Sequence, residues 1–260
     1  WYLSRYSNCY RSLLMLKKIL KQATCGLFLA LAGVNVLSAG AVGVTPVRVT
    51  LSANQKISAL TVKNPGTEPM SMQLELMNWS QHEGKDIFTA TRDLLANPPI
   101  ITLPPGGSQL IRVGLRRAPD RERELSYRLF LQQLPPVVSS DFQGALMLMR
   151  VSLPVFILPK AGTKTALHWQ VALTPKGALK LSLSNNGNAH IQIKNLKLSL
   201  PDKSQPWVTR QISVYVLPGQ SRDWILPVSS KSPAPPSGTN LRLIAQTDSD
   251  DIEVKIKIAP

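Results

Sequence analysis

The sequence is short of cysteine: only Cys9 and Cys25 occur in 260 residues. Beyond Cys25 a disulfide framework, a cysteine zinc site and a cysteine nucleophile are therefore excluded. Histidine is almost as scarce, and His82, His168 and His190 are scattered over expected loops and strands without metal-ligand spacing. Acids are few, 15 against 30 Lys and Arg. Three of them, Asp120, Glu122 and Glu124, stand among arginines in one loop, where a solvated, self-paired charge cluster is expected. No G-x-S-x-G, P-loop or H-E-x-x-H motif occurs. These absences argue against an enzyme and against a bound metal or cofactor. Aromatic residues make up 6% of the chain, and Trp79, Trp169, Trp207 and Trp224 are dispersed. That leaves no stacking platform for a carbohydrate-active protein, and basic residues interleaved with aromatics, as nucleic-acid binding needs, are also missing.

What the chain has in excess is positive charge, proline and short apolar runs. The formal net charge is +15. Residues 1–41 hold Arg5, Arg11, Lys17, Lys18 and Lys21 and no acid, so most of the excess lies beyond them and suits an anionic partner or ligand. The basic stretch Met15–Lys21 is followed by an apolar run, Cys25–Leu37, and by small residues with Ala39 and Ala41 in A-x-A spacing. Basic, apolar, small is the order of a secretory signal peptide. The apolar run is shorter than the ~20 residues of a spanning helix. The expectation is export, with Met15 as the start, the first 14 residues an upstream translation, and cleavage after Ala41.

With 21 prolines among Val, Leu and Ile runs, the remainder does not read as a helical bundle. Residues 44–51, 56–63, 70–79, 108–115 and 125–134 alternate or nearly alternate between apolar and polar, separated by Gly, Pro and Asn turn signals such as Asn64-Pro65-Gly66. About seven such strands predict an immunoglobulin-like β-sandwich over 42–160. A second all-β series follows a short linker, over 164–260, with a bulge expected near Asn195 and a charge-protected edge strand at 252–258.

The stretch that the first domain turns on is residues 143–159. Gly144 opens it and Pro154 and Pro159 exclude a helix, so a long strand with a break near its end is expected. Its odd row is Ala145, Met147, Met149, Val151 and Leu153, wholly apolar. Its even row is Leu146, Leu148, Arg150 and Ser152. Periodicity alone reads it as an ordinary sandwich strand with the odd face in its own core.

In order and spacing, several motifs resemble the PapD-like periplasmic chaperones of chaperone–usher pili. They are Arg48, Asn64, Asn97-Pro98-Pro99, the run Leu103–Val113 with its Pro-Pro-Gly-Gly, Glu124 to Tyr127, Leu134-Pro135-Pro136, and Val155–Pro159. The resemblance implies two immunoglobulin-like sandwiches in a boomerang arrangement, and a role in fimbrial biogenesis at the cell wall. The implied chaperone binds pilus subunits in the periplasm by lending them a strand, and delivers them to an outer-membrane usher. On that reading Ala145, Met147, Met149, Val151 and Leu153 are donated, methionine suiting more than one groove, while Leu146 and Leu148 stay in the chaperone's own sandwich. The family also holds the subunit's C-terminal carboxylate with an arginine and a lysine. Arg48 matches the arginine. Pro154 stands where the lysine is expected, leaving Arg128, slightly preferred, and Arg150 as substitutes. The departure and the methionine row resemble the archaic branch of the family. Self-association of the free protein stays open. A secreted structural sandwich, itself a pilus subunit or adhesin, is the alternative.

Overall fold

The computed structural model describes residues 41–137, 143–201, 203, 205–226 and 234–259. The expected signal segment, its Met15 start and the residues before it lie outside the described residues. The described chain is all β, without helices. Its strands are β1 Gly43–Thr45, β2 Val49–Leu51, β3 Ile57–Lys63, β4 Met70–His82, β5 Lys85–Ala90, β6 Leu94–Asn97, β7 Ile100–Leu103, β8 Ser108–Leu115, β9 Leu125–Gln133, β10 Arg150–Ile157, β11 Leu167–Leu173, β12 Leu179–Asn185, β13 Ile191–Ser199, β14 Val208–Val216, β15 Ser221–Leu226, β16 Asn240–Thr247 and β17 Ile252–Ala259.

Two sheets form the first sandwich, β1-β3-β8-β6 and β2-β10-β9-β4-β5, with β7 on β4. Their inner rows meet in one core that includes Val49, Leu51, Leu60, Met72, Ile111, Leu129, Leu131, Val155 and Ile157. Residues 44–51 do not form one strand. β1 pairs with β3 and β2 with β10, so the chain changes sheets across Pro46 to Arg48. Pro46 has no N–H to continue a ladder, which favours the break there.

The second sandwich follows the path β14-β13-β16-β17-β11-β12-β15, closed around a core of Leu181, Leu183, Ile193, Leu198, Trp224 and Leu243 among others. Register shifts between Ile193 and Asn195, the expected bulge. The charged strand β17 is not an edge. It pairs with β16 on one side and, in parallel, with β11 on the other. Glu253, Lys255 and Lys257 point outward from a central strand because only one face of the sheet is buried. The edges are β14 and β15.

Each sandwich is pinned by the same corner. Asn64, fully buried, donates from Nδ2 to the carbonyls of Glu68 (2.7 Å) and Leu103 (3.2 Å), and its Oδ1 accepts from Gly66 N–H (3.0 Å). Asn185 does likewise, to Ala189 (2.8 Å) and Val216 (2.9 Å), accepting from Gly187 N–H (3.0 Å). A Cβ on Gly187 would come within 2.3 Å of the Lys164 carbonyl oxygen, so the second corner requires glycine. Asn64→Ala strands several buried backbone groups and is expected to lower stability by about 2–3 kcal/mol. Urea unfolding, read at unchanged slope, checks this.

Candidate functional site

The strand ladder brings the candidate cations into one row. β2 joins β10 in parallel with Val49 beside Val155, and β10 joins β9 with Pro154 opposite Arg128. Val49 and Val155 point into the core. One residue earlier, Arg48 and Pro154 therefore point to the opposite face, and Arg128 shares it. Arg48, Pro154 and Arg128 follow one another across neighbouring strands, the arginines about 10 Å apart by two strand spacings. Pro154 does not break the strand, contrary to expectation. β2 joins only from Val155, so the proline occupies a stretch that is still an edge.

The Arg128 guanidinium lies 3.8 Å from the Trp79 ring centroid and 5.4 Å from that of Tyr215. Its Nε is buried and has no hydrogen-bond partner among the described residues. Burial presses its pKa below the ordinary guanidinium value, with Asp86 and Tyr215 opposing. It is a cation stacked on aromatic faces and short of an anion. Arg150 is different. It stands at the start of β10, exposed, 4.1 Å over the Phe130 ring, four residues or about 13 Å along the strand from Pro154.

Arg48 stands just ahead of β2 and is engaged by the second sandwich: its Nη1 donates to Asp248 Oδ2 and lies 3.5 Å from His190 Nε2. Burial pushes the Asp248 carboxyl up, but His190, the Gln192 N–H and Arg48 outweigh it and hold the group well below the usual carboxylate range. Further bonds join the sandwiches here. Gln81 Nε2 donates to the Tyr215 carbonyl (3.0 Å), Gln81 Oε1 accepts from Leu217 N–H (3.0 Å), and Arg123 donates to the Pro218 carbonyl. Trp79, Phe156 and Leu217 bury one another, with Tyr215 against them.

Glu124 is not part of a solvated cluster, as expected from its arginine-rich loop. Its side chain is fully buried and faces His190. Nor is His190 a surface histidine. Its side chain is 11% exposed, between Glu124 and Asp248. Both were missed because they meet each other across 66 residues and between domains, while Asp248 joins His190 from 58 residues further along the chain, beyond any local pattern. The two carboxylates flank one ring rather than converge on a point, and among the described residues no group of His, Cys, Asp or Glu is placed to hold a metal.

The expected donor stretch divides at Arg150. Residues 143–149 form no strand, and the ladder ends where Met149 N–H reaches Gln133 Oε1 (3.1 Å) and its carbonyl accepts from Gln133 N–H (2.8 Å). Met147 is 95% exposed, Ala145 is exposed and Met149 half-buried. Leu153, at 5%, belongs to the chain's own core and Val151 packs half-buried against it. Leu146 and Leu148, expected inside, are 45% and 38% exposed, because the strand that would have turned them inward begins only at Arg150.

Residues 41–163 match the family model described as "Pili and flagellar-assembly chaperone, PapD N-terminal domain". No curated protein sequence matches the chain. Among solved structures, the chain is similar to one from the CsuC–CsuE chaperone–tip adhesion subunit pre-assembly complex of the archaic chaperone–usher Csu pili of Acinetobacter baumannii. There the TM-score is 0.61 at 20% identity, covering 85% of this chain and 100% of that one. It is also similar to a chain of the Salmonella enterica SafA pilin–SafB chaperone complex, at TM-score 0.56 and 16% identity, covering 82% and 95%. The E. coli chaperone DraB gives 0.54 and 16%, covering 85% and 99%. At these identities the likeness is one of fold: two immunoglobulin-like sandwiches in tandem.

Proposed function

Residues 41–163 are a PapD-type domain of the pilus-assembly chaperones, and we propose that the chain is a periplasmic chaperone that holds pilus subunits by strand donation and hands them to an outer-membrane usher. It acts by binding, without nucleotide or metal. The observation that carries this is the adjacency of two features on β10. A basic row, Arg48 and Arg128 on either side of Pro154, crosses the strand, and an exposed methionine segment, in no strand ladder among the described residues, leads into it.

The chemistry of each part is distinct. A subunit lacking its last strand takes residues 145–149 as that strand, so that backbone bonds hold it and Ala145, Met147 and Met149 fill its groove. The subunit's terminal carboxylate docks on the guanidinium pair. Arg48 uses one nitrogen on Asp248, and its other donors, without a hydrogen bond among the described residues, suit a bidentate contact. Arg128 supplies the second cation in place of the family's lysine, at the strand neighbouring that position. Arg150 is too far along β10 to share the carboxylate. The archaic branch is the subclass that the proline and the methionines favour.

Arg128→Met separates binding from stability. It removes a cation whose Nε is buried without a partner, and is expected to leave stability unchanged or raise it by about 1 kcal/mol. Subunit affinity is expected to fall tenfold or more. Thermal unfolding beside subunit titration checks both.

The whole reading is tested by co-expressing the chain with a subunit that lacks its last strand and isolating the periplasmic fraction. A one-to-one complex is expected. Export of the chain with the subunit still aggregated or degraded would overturn it. A pilus subunit or adhesin, the rival, is not favoured: β10 closes the first sandwich with its own Leu153, Val155 and Ile157.

A further inference from the structure

Between the sandwiches Arg48 meets a buried cluster of His190, Glu124 and Asp248, three groups that subunit docking does not itself use. The His190 ring stacks on Phe156 at 3.5 Å and 7°. Its Nδ1 lies 2.8 and 2.9 Å from the two Glu124 oxygens, and its backbone N–H donates to Glu124 Oε1 at 3.1 Å. Its Nε2 lies 3.5 Å from Asp248 Oδ2 and 3.5 Å from Arg48 Nη1. Asp248 accepts from Gln192 N–H at 3.0 Å as well as from Arg48. The titratable and charged groups facing the ring are thus Glu124 ahead of β9, Asp248 after β16, Arg48 ahead of β2, and Tyr215 on β14, whose ring centroid is 5.7 Å away.

Charge balance decides the state of the ring. With a neutral imidazole, the cluster holds two carboxylates, one fully buried and one nearly so, against the single cation Arg48, which reaches Asp248 only. An uncompensated buried charge is costly. A proton on His190 matches two anions with two cations, and makes both ring nitrogens donors with a carboxylate in front of each. Burial opposes that proton, but the bonds to Asp248 and Glu124 prevail and raise the His190 pKa above its ordinary value.

We propose, building on the carboxylate-anchor reading above, that His190 is the positioning residue of Arg48: protonated, it fixes Asp248 between the sandwiches, and Asp248 fixes the guanidinium. When the ring loses its proton, Glu124 keeps the hydrogen on Nδ1. The Nε2 lone pair then faces Arg48 Nη1 and competes with Asp248 for it. The anchor loses its single orientation, so its readiness depends on pH in the range where histidine titrates. The sign follows from the raised folded value. The stabilisation is complete below the unfolded value of about 6.5 and is lost as pH rises through the folded one.

The test is NMR on the free purified chain, with labelled arginine and histidine side chains, from about pH 5.5 to about 9. It needs no subunit, so it can fail while subunit recovery still depends on Arg48, and can succeed if it does not. The His190 ring is expected to titrate above about 6.5, and the Arg48 Nε–H resonance to move with the same midpoint. Over the same range Tm is expected to fall by about 2–4 °C more than in His190→Gln. In Asp248→Asn the His190 midpoint is expected to fall and the Arg48 resonance to follow it by a smaller shift, since only the direct contact between the two remains. An Arg48 resonance that stays still while His190 titrates, or a midpoint at or below the ordinary value, would overturn the proposal. Should His190→Gln not fold, the native titration and Asp248→Asn decide between the outcomes.

Discussion

Arg48→Ala is expected to abolish recovery of a co-expressed pilus subunit from the periplasm while the variant itself still folds. The two effects separate because the residue has two settings. In the free protein its side chain is 35% exposed and paired with Asp248. Asp248 is only 8% exposed, but it keeps the Gln192 N–H and His190, so losing Arg48 is expected to cost the fold about 1–3 kcal/mol, less than the stability of a domain. On the proposed anchor, the same guanidinium is covered by the subunit in the complex and carries its terminal carboxylate. Truncating one partner of such a pair costs about 2–5 kcal/mol, or roughly 30- to 5,000-fold in affinity. Arg48→Lys keeps the charge but not the planar fork, so it should fall between the two. The measurement is the yield of subunit copurified with equal amounts of each variant, with Tm determined alongside. Native yield from Arg48→Ala at native Tm would remove the anchor from the mechanism.

The fold was largely legible in the sequence because its signals are local. Met70, Met72 and Leu74 alternate with polar neighbours, and all three are buried on β4. Asn64-Pro65-Gly66 announces a corner, and the side chain of Asn64 builds it. The site was legible only in part. Arg48 was placed by its resemblance to a motif, and Arg128 by its position on the strand next to Pro154. Their common row depends on the registers of three strands, which no local pattern encodes. Glu124 and His190 were misread for the same reason. An acid among arginines is usually solvated, yet here the second sandwich closes over it. The length of the strand expected over 143–159 was also misjudged. Alternation runs from Ala145 to Leu153, but pairing with β9 extends from Arg150 onward. Periodicity reports which residues could share a face, and the partner strand decides where the ladder stops.

That boundary gives the second large effect. Met147→Asp combined with Met149→Asp is expected to leave the free chaperone nearly as stable as before and to abolish subunit binding. Met147 is 95% exposed and Met149 half-buried, outside any strand, so substitution there should cost about 0.5 kcal/mol or less. On the proposed strand donation, the same positions would face a subunit's apolar core. Two carboxylates carried into it without partners each cost several kcal/mol, enough to cancel a micromolar complex of about 8 kcal/mol. Met147→Leu keeps the apolar volume and should bind, which separates loss of shape from loss of polarity. Leu153→Asp makes the opposite contrast, since Leu153 fills the chain's own core and its replacement should unfold the first sandwich. Hydrogen exchange supplies the direct readout: amides at 145–148 are expected to exchange freely in the chain alone and to become protected once a subunit is bound. Equal subunit recovery from the double aspartate variant, or exchange at 145–148 unchanged by the subunit, would mean that the strand lent to the client lies elsewhere.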